Sequence, residues 1–180
     1  MNKVAKLFMY FLLMLIFFIF AWYLIYFYPT IDRMKVLSSH GIDSVGENAE
    51  ILQKYALHAY EIENESIGEL KKIVIKKTFL LELKPRIDNF TLGLVHYYLW
   101  QQMMKVHFDD KFIFGIWLEC ASTKCQEGGL NKLSNAIYKR NLSGLNNNEL
   151  ASLIFFIRDP DKYNIGSTGA EEKIRILLAR

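Results

Sequence analysis

Few side chains in this chain of 180 residues stand at spacings that do chemistry unaided. Cys120 and Cys125, the only two cysteines, are separated by Ala-Ser-Thr-Lys, which puts them on different faces of a helix but lets a loop close. In a domain outside the cytoplasm they would form a short-loop disulfide pinning the chain ahead of Gly128-Gly129; in a reducing compartment they would stay free thiols. They do not make a zinc site, because no second cysteine pair or nearby histidine completes one. His40, His58, His96 and His107 are scattered, and His58 and His96 lie on apolar stretches that favour packing over ligation. Trp100, Gln101-Gln102 and Met103-Met104 read as the core and rim of one helix. No Gly-rich phosphate loop, Gly-x-Ser-x-Gly elbow or His-Glu-x-x-His motif occurs.

The elements that must position these residues begin with one apolar run. Leu7 to Tyr28 is 22 residues without a charge, proline or glycine, long enough to cross a hydrocarbon core of about 30 Å. A cleaved signal peptide has a shorter apolar region and a small-x-small exit, whereas this run ends in Trp22-Tyr23-Leu24-Ile25-Tyr26-Phe27-Tyr28 before Pro29. The expectation is an uncleaved signal anchor over residues 1–28, with Trp22, Tyr23, Tyr26 and Tyr28 forming an interfacial belt. Lys3 and Lys6 precede the helix and Arg33 and Lys35 follow it, so the positive-inside bias towards a cytoplasmic N-terminus is slight.

Lys3 and Lys6 are also the only charged side chains before Pro29, which leaves the remainder nearly neutral. A formal net charge of +3 is too small to suggest nucleic acid as a partner; the lipid bilayer is the partner the sequence implies. Residues 29–46 mix charges, Ser and Gly and read as a juxtamembrane connector. From Glu47 the apolar positions Ile51, Leu52, Tyr55, Ala56, Ala59 and Ile62 share one helical face. Ile67 to Leu83 leans to helix despite its β-branched residues, and Thr91–Val106 with Phe112–Cys120 predict central helices. Asn146-Asn147-Asn148 supplies an N-cap ahead of Glu149 and an apolar body that Asp159-Pro160 stops; Ala170 to Leu178 closes the chain as a short amphipathic helix.

The C-terminal third resembles the membrane-anchored peptidoglycan glycosyltransferases, the transglycosylase module of bifunctional penicillin-binding proteins and their monofunctional relatives. Trp117-Leu118-Glu119 stands in place of the family's Tyr-Leu-Asn, and Gly129 falls on the glycine of its Tyr-Gly. Ile137-Tyr138-Lys139-Arg140 is similar to the Tyr-Phe-Gly-Lys step. Leu145, Glu149, Ala151 and Leu153 match Leu-x-x-x-Glu-x-Ala-x-Leu-Ala, Pro160 the following proline, and Tyr163-Asn164 the Tyr-Asn pair. Ala170, Lys173, Leu177 and Leu178 resemble the closing Ala-x-x-Arg-x-x-x-Val-Leu, with Lys replacing Arg. The resemblance spans residues 111–178 almost without gaps. It implies an all-α protein: one N-terminal transmembrane helix, then a small lysozyme-like helical domain, here residues 47–180, on the outer face of the cytoplasmic membrane.

The catalytic half of the family pattern is missing. Such enzymes polymerise lipid-linked disaccharide-pentapeptide with a glutamate as general base on the acceptor hydroxyl and cationic groups at the departing pyrophosphate. The Glu-Asp-x-x-Phe-x-x-His-x-Gly-x-Asp string has only two faint echoes. Asp32 begins a stretch ending in His40-Gly41-Ile42-Asp43, and Glu61 lies in Ala59-Tyr60-Glu61-Ile62. The Gly-Gly-Ser-Thr-Ile-Thr-Gln-Gln motif survives at most as Thr91-Leu92, and the second catalytic Glu has no home in the short stretch before Trp117. Removing the anchor leaves about 150 residues, less than the family's domain ordinarily takes. The expectation is a non-catalytic binder of lipid-linked precursor, glycan strands or a cell-wall synthase, without a cofactor. The rival readings are a divergent active glycosyltransferase, which alone would need a divalent cation such as Mg, and a membrane-anchored immunity or assembly factor.

Overall fold

The computed structural model describes residues 3–62, 68–86, 90–120, 129–158 and 168–179. Among them there is helix and no strand. The α-helices are α1 (Lys3–Trp22), α2 (Ile31–Val45), α3 (Ala49–Ile62), α4 (Gly68–Glu82), α5 (Phe90–His107), α6 (Asp110–Cys120), α7 (Gly129–Tyr138), α8 (Asn147–Arg158) and α9 (Thr168–Leu178). Ile67–Leu83, ambiguous in sequence, is helical from Gly68 onward.

α1 has no protein around most of its length. Val4 to Phe18 are exposed throughout, and this is the one helix among the described residues long and apolar enough to cross a membrane. The helical path does not stop at its end. Pro29 has no N–H and its ring crowds the carbonyl four residues back, so the chain widens to a π turn over Tyr23–Phe27 and tightens to a 3₁₀ turn over Tyr28–Thr30. It then continues into α2.

That continuation corrects the expected connector. Residues 31–45 form a regular helix at the centre of the domain, burying Met34, Ser38, Gly41 and Val45 along one face. Two of those four are small and polar or side-chainless, so counting apolar residues misses the face. Its partner is α6, the helix it contacts most. The two backbones nearly touch: a Cβ on Gly41 would come 2.0 Å from the Gly115 carbonyl oxygen, and one on Gly115 2.5 Å from that of Ser38. The Ser38 hydroxyl donates to the Phe112 carbonyl at 3.0 Å across the same crossing.

α6 is capped by Asp109, whose carboxylate accepts the Phe112 N–H at 2.8 Å, and every residue from Ile113 to Cys120 is buried. A helix apolar on all sides is a core helix, and α2, α4 and α7 surround it. A second layer joins α3 to α8 and α9, with Leu52, Tyr55, Ala56 and Ala59 packed in one core with Leu150, Leu153, Ile154, Phe155 and Leu177. Ile51, expected on the buried face of α3, is instead exposed.

α8 starts as its sequence predicts. The Asn146 side chain accepts the Glu149 N–H at 3.0 Å while the Glu149 carboxylate accepts the Asn146 N–H at 2.9 Å, a reciprocal capping box.

Candidate functional site

The densest gathering of polar and aromatic chemistry lies where the end of α1 meets α5. Trp22 and Phe27 are buried, and Tyr23 and Tyr26 pack partly against the same core. Three of the four aromatics expected at headgroup depth thus face protein; only Tyr28 is exposed. The reason is a complementary surface on α5, which an apolar run read alone does not reveal. The Trp22 indole donates to His96 Nδ1 at 2.7 Å, and the Tyr26 ring meets the His96 imidazole edge-on at 4.7 Å. Accepting from Trp22 requires a bare Nδ1, so His96 is neutral with its proton on Nε2. Burial agrees, pushing the His96 pKa below the usual histidine value.

His107 caps the other flank. It stacks on Tyr23 with ring centroids 5.3 Å apart and approaches Phe27 at 5.2 Å. Its Nδ1 lies 3.1 Å from the Met103 carbonyl, which can only accept, so Nδ1 carries the proton and Nε2, 3.2 Å away, takes the Tyr23 hydroxyl. Between the histidines, Trp100 is fully buried edge-on to Phe27, its indole donating to Thr78 at 3.2 Å. The arrangement locks the foot of α1 to the domain.

Of the two acids proposed for catalysis, Asp32 lies away from this gathering. Asp32, in the first turn of α2, is exposed and pairs with Lys35 at 3.3 Å, a favourable place at a positive helix end but not a cleft. Glu61 lies in the last turn of α3 and its side chain is outside the described residues. Glu82, nearly buried on α4, pairs with Arg33 at 3.1 Å. Glu119, in the Tyr-Leu-Asn place, is buried in α6. A cavity of about 70 Å³ sits among Gln53, Leu57, Leu70 and Ile113 beside the Lys71–Asp110 ion pair. No group of three or more His, Cys, Asp or Glu that could hold a metal ion occurs among the described residues.

The motif residues of the C-terminal third fall on packing positions. Gly129 opens α7 with φ +24°, and a Cβ there would meet the Leu118 carbonyl oxygen at 2.2 Å. Lys139, just past the end of the same helix, has φ +57° and is the only non-glycine residue of positive φ among the described residues. Leu145 and Ala151 are buried, and Glu149 adds an ion pair with Arg140 to its capping role. Burial raises the pKa of Tyr138; a hydrogen bond with Ser152 opposes the shift and the Glu149 charge adds to it. Pro160, Tyr163 and Asn164 lie outside the described residues, as does Cys125. Cys120 is buried and disulfide-bonded.

Sequence reasoning missed the two histidines as a pair and also Lys77. Lys77, half-buried on α4, donates to the Cys120 carbonyl at 2.5 Å and has its pKa lowered by burial. A helix-period count from Trp100 would have placed His96 and His107 on its buried face. Compared with protein-family models, with curated proteins and with solved structures, the chain finds no match.

Proposed function

We propose that the chain is a bitopic cell-envelope protein whose α1 crosses the cytoplasmic membrane with the N-terminus inside. Its helical domain, a degenerate relative of the transglycosylase module, lies on the outer face. It binds lipid-linked peptidoglycan precursor, glycan strands or a synthase partner without polymerising glycan. The observation that carries this reading is at α7. Gly129 and Lys139 occupy the two positions where the transglycosylase motifs place glycine, and both have positive φ, the backbone that glycine serves best. The acid half has no such support: Asp32 is solvated beside Lys35.

An apolar helix without a protein partner supports the membrane part. From Lys3 to Ala21 it offers about 28 Å at 1.5 Å per residue, close to the hydrocarbon thickness. The test uses purified full-length protein with fluorescent lipid-linked disaccharide-pentapeptide. Binding without polymer is the expected result. Polymer formation abolished by Glu61→Gln overturns the non-catalytic reading and makes the protein an active glycosyltransferase. A crosslinked protein partner recovered with no affinity for precursor or glycan moves it to the immunity or assembly class.

A further inference from the structure

α5 carries a second apolar surface that the fold leaves uncovered. From Phe90 to Met104 the helix has no Asp, Glu, Lys or Arg on any side. Its inner face is used by the core, with Trp100 and Met104 fully buried. Its outer positions, which an ordinary surface helix fills with charge, include Leu92 (55% exposed), Leu94, Val95 (46%) and Tyr98, with the exposed Lys105 and Val106 (77%) in the last turn. The other peripheral helices follow the ordinary rule: α3 exposes Glu50 and Lys54, and α9 exposes Glu171, Glu172 and Arg175.

The direction of α5 follows from its ring contacts. Trp22 and Tyr26, one turn apart on one side of the chain leaving α1, both meet His96. Tyr23 and Phe27, one turn apart on the neighbouring side, both meet His107. A step around the foot of α1 therefore corresponds to eleven residues, about 16 Å, along α5. Such a pairing arises only if α5 runs across the foot of α1 rather than alongside it. One flank of α5 is covered by α4, through Phe79 on Tyr97 at 5.1 Å and Thr78 on Trp100. The flank opposite α4 carries Leu92, Val95 and Val106, all exposed, at helical spacing with the half-buried Leu99.

We infer that α5 lies in the plane of the bilayer interface, with its Leu92–Val95–Val106 flank in the headgroup–acyl boundary beside the point where α1 emerges. This rests on α1 crossing the membrane. The occupant is lipid because the flank carries no charge and belongs to the helix that packs, through His96 and His107, against the foot of α1, whose own apolar surface is uncovered. The segment is too short, and too committed to the core on its inner face, to cross the bilayer itself. Contact along α5 in addition to α1 fixes the tilt and height of the domain above the membrane, which a single flexible tether would leave free.

The test places a nitroxide on single cysteines in the full-length protein in nanodiscs; no described cysteine is free to compete for the label. The sites are Val95→Cys and Leu92→Cys on the flank, Met14→Cys in α1 and Lys132→Cys on α7. Collision with oxygen is compared with collision with a water-soluble nickel complex. Oxygen dominating at Val95, Leu92 and Met14, with nickel dominating at Lys132, is the expected pattern. Nickel dominating at both Val95 and Leu92 while Met14 stays oxygen-accessible overturns the in-plane placement and leaves the membrane anchor standing. Nickel dominating at Met14 as well overturns both. The two flank sites are exposed, so neither substitution depends on repacking.

Discussion

α1 and α6 each carry a long apolar run, and the two runs meet opposite surroundings. Val4 to Phe18 of α1 are exposed without exception, while Ile113 to Cys120 of α6 are at most a few per cent exposed. They differ in length and in surface shape. α6 is 11 residues long and carries Gly115, which lets α2 approach backbone to backbone at Gly41 and Ser38. α1 is nearly twice as long and offers bulky side chains all round, a surface that no described helix of the domain covers. The foot of α1 is the exception, where Trp22 to Phe27 find matching rings on α5. Whether an apolar helix is buried in the core or left uncovered is thus decided by which surfaces of the chain fit it.

Five variants test that contrast. The largest effect is expected from Leu13→Arg with Ile16→Arg, which places two charges in the middle of α1. At about 3 kcal/mol each for the helix centre, they should move the protein from the carbonate-resistant membrane pellet to the soluble or aggregated fraction. A protein still retained in the pellet would mean α1 is covered by something other than lipid. Second, Gly41→Ala forces a methyl against the Gly115 carbonyl; overpacking of this kind should cost about 1–3 kcal/mol in denaturant unfolding of the detergent-solubilised protein. A neutral result would show that α2 and α6 sit further apart.

Third, Trp22→Phe removes the donor to His96 and should cost about 1 kcal/mol, read as a lower melting temperature. pH reports on the same contact. Burial lowers the folded-state pKa of His96, so between that value and the ordinary value near 6.5 the unfolded chain binds more protons. The contribution of His96 is therefore complete above about pH 6.5 and lost as pH falls below it, and His96→Gln should flatten that part of the stability profile. Smallest, and of opposite sign, is Lys139→Gly, which relieves the left-handed backbone at the end of α7. It should raise stability by about 0.5–1 kcal/mol, resolvable by thermal melts against wild type.

Much of the helical layout is legible in the residues alone. The capping of α8 follows from Asn146 and Glu149, and the buried face of α3 from the spacing of Leu52, Tyr55, Ala56 and Ala59. The stretch 29–46 is not legible in this way, because Ser38 and Gly41 offer no large apolar side chain that a periodicity count can see, yet they let the α2 backbone come close to that of α6. The aromatic foot of α1 misleads for the converse reason: Trp and Tyr suit headgroups and protein rings equally, so their type alone does not choose. For the candidate site, the spacing of His96, Trp100 and His107 is visible in the sequence, but the aromatics that meet them come from 70 or more residues away.

The sequence by itself determined that the chain is helical, that its first helix is long and apolar enough to span a bilayer, and where several helices begin and end. These follow from local terms: backbone hydrogen bonding, caps, breakers and the period of hydrophobicity. Only the tertiary structure decided that α2 belongs to the core, that the foot of α1 is gripped by α5, and that Leu92, Val95 and Val106 of α5 stay exposed. Those outcomes depend on the fit between surfaces distant in the chain, which no local property of either partner encodes.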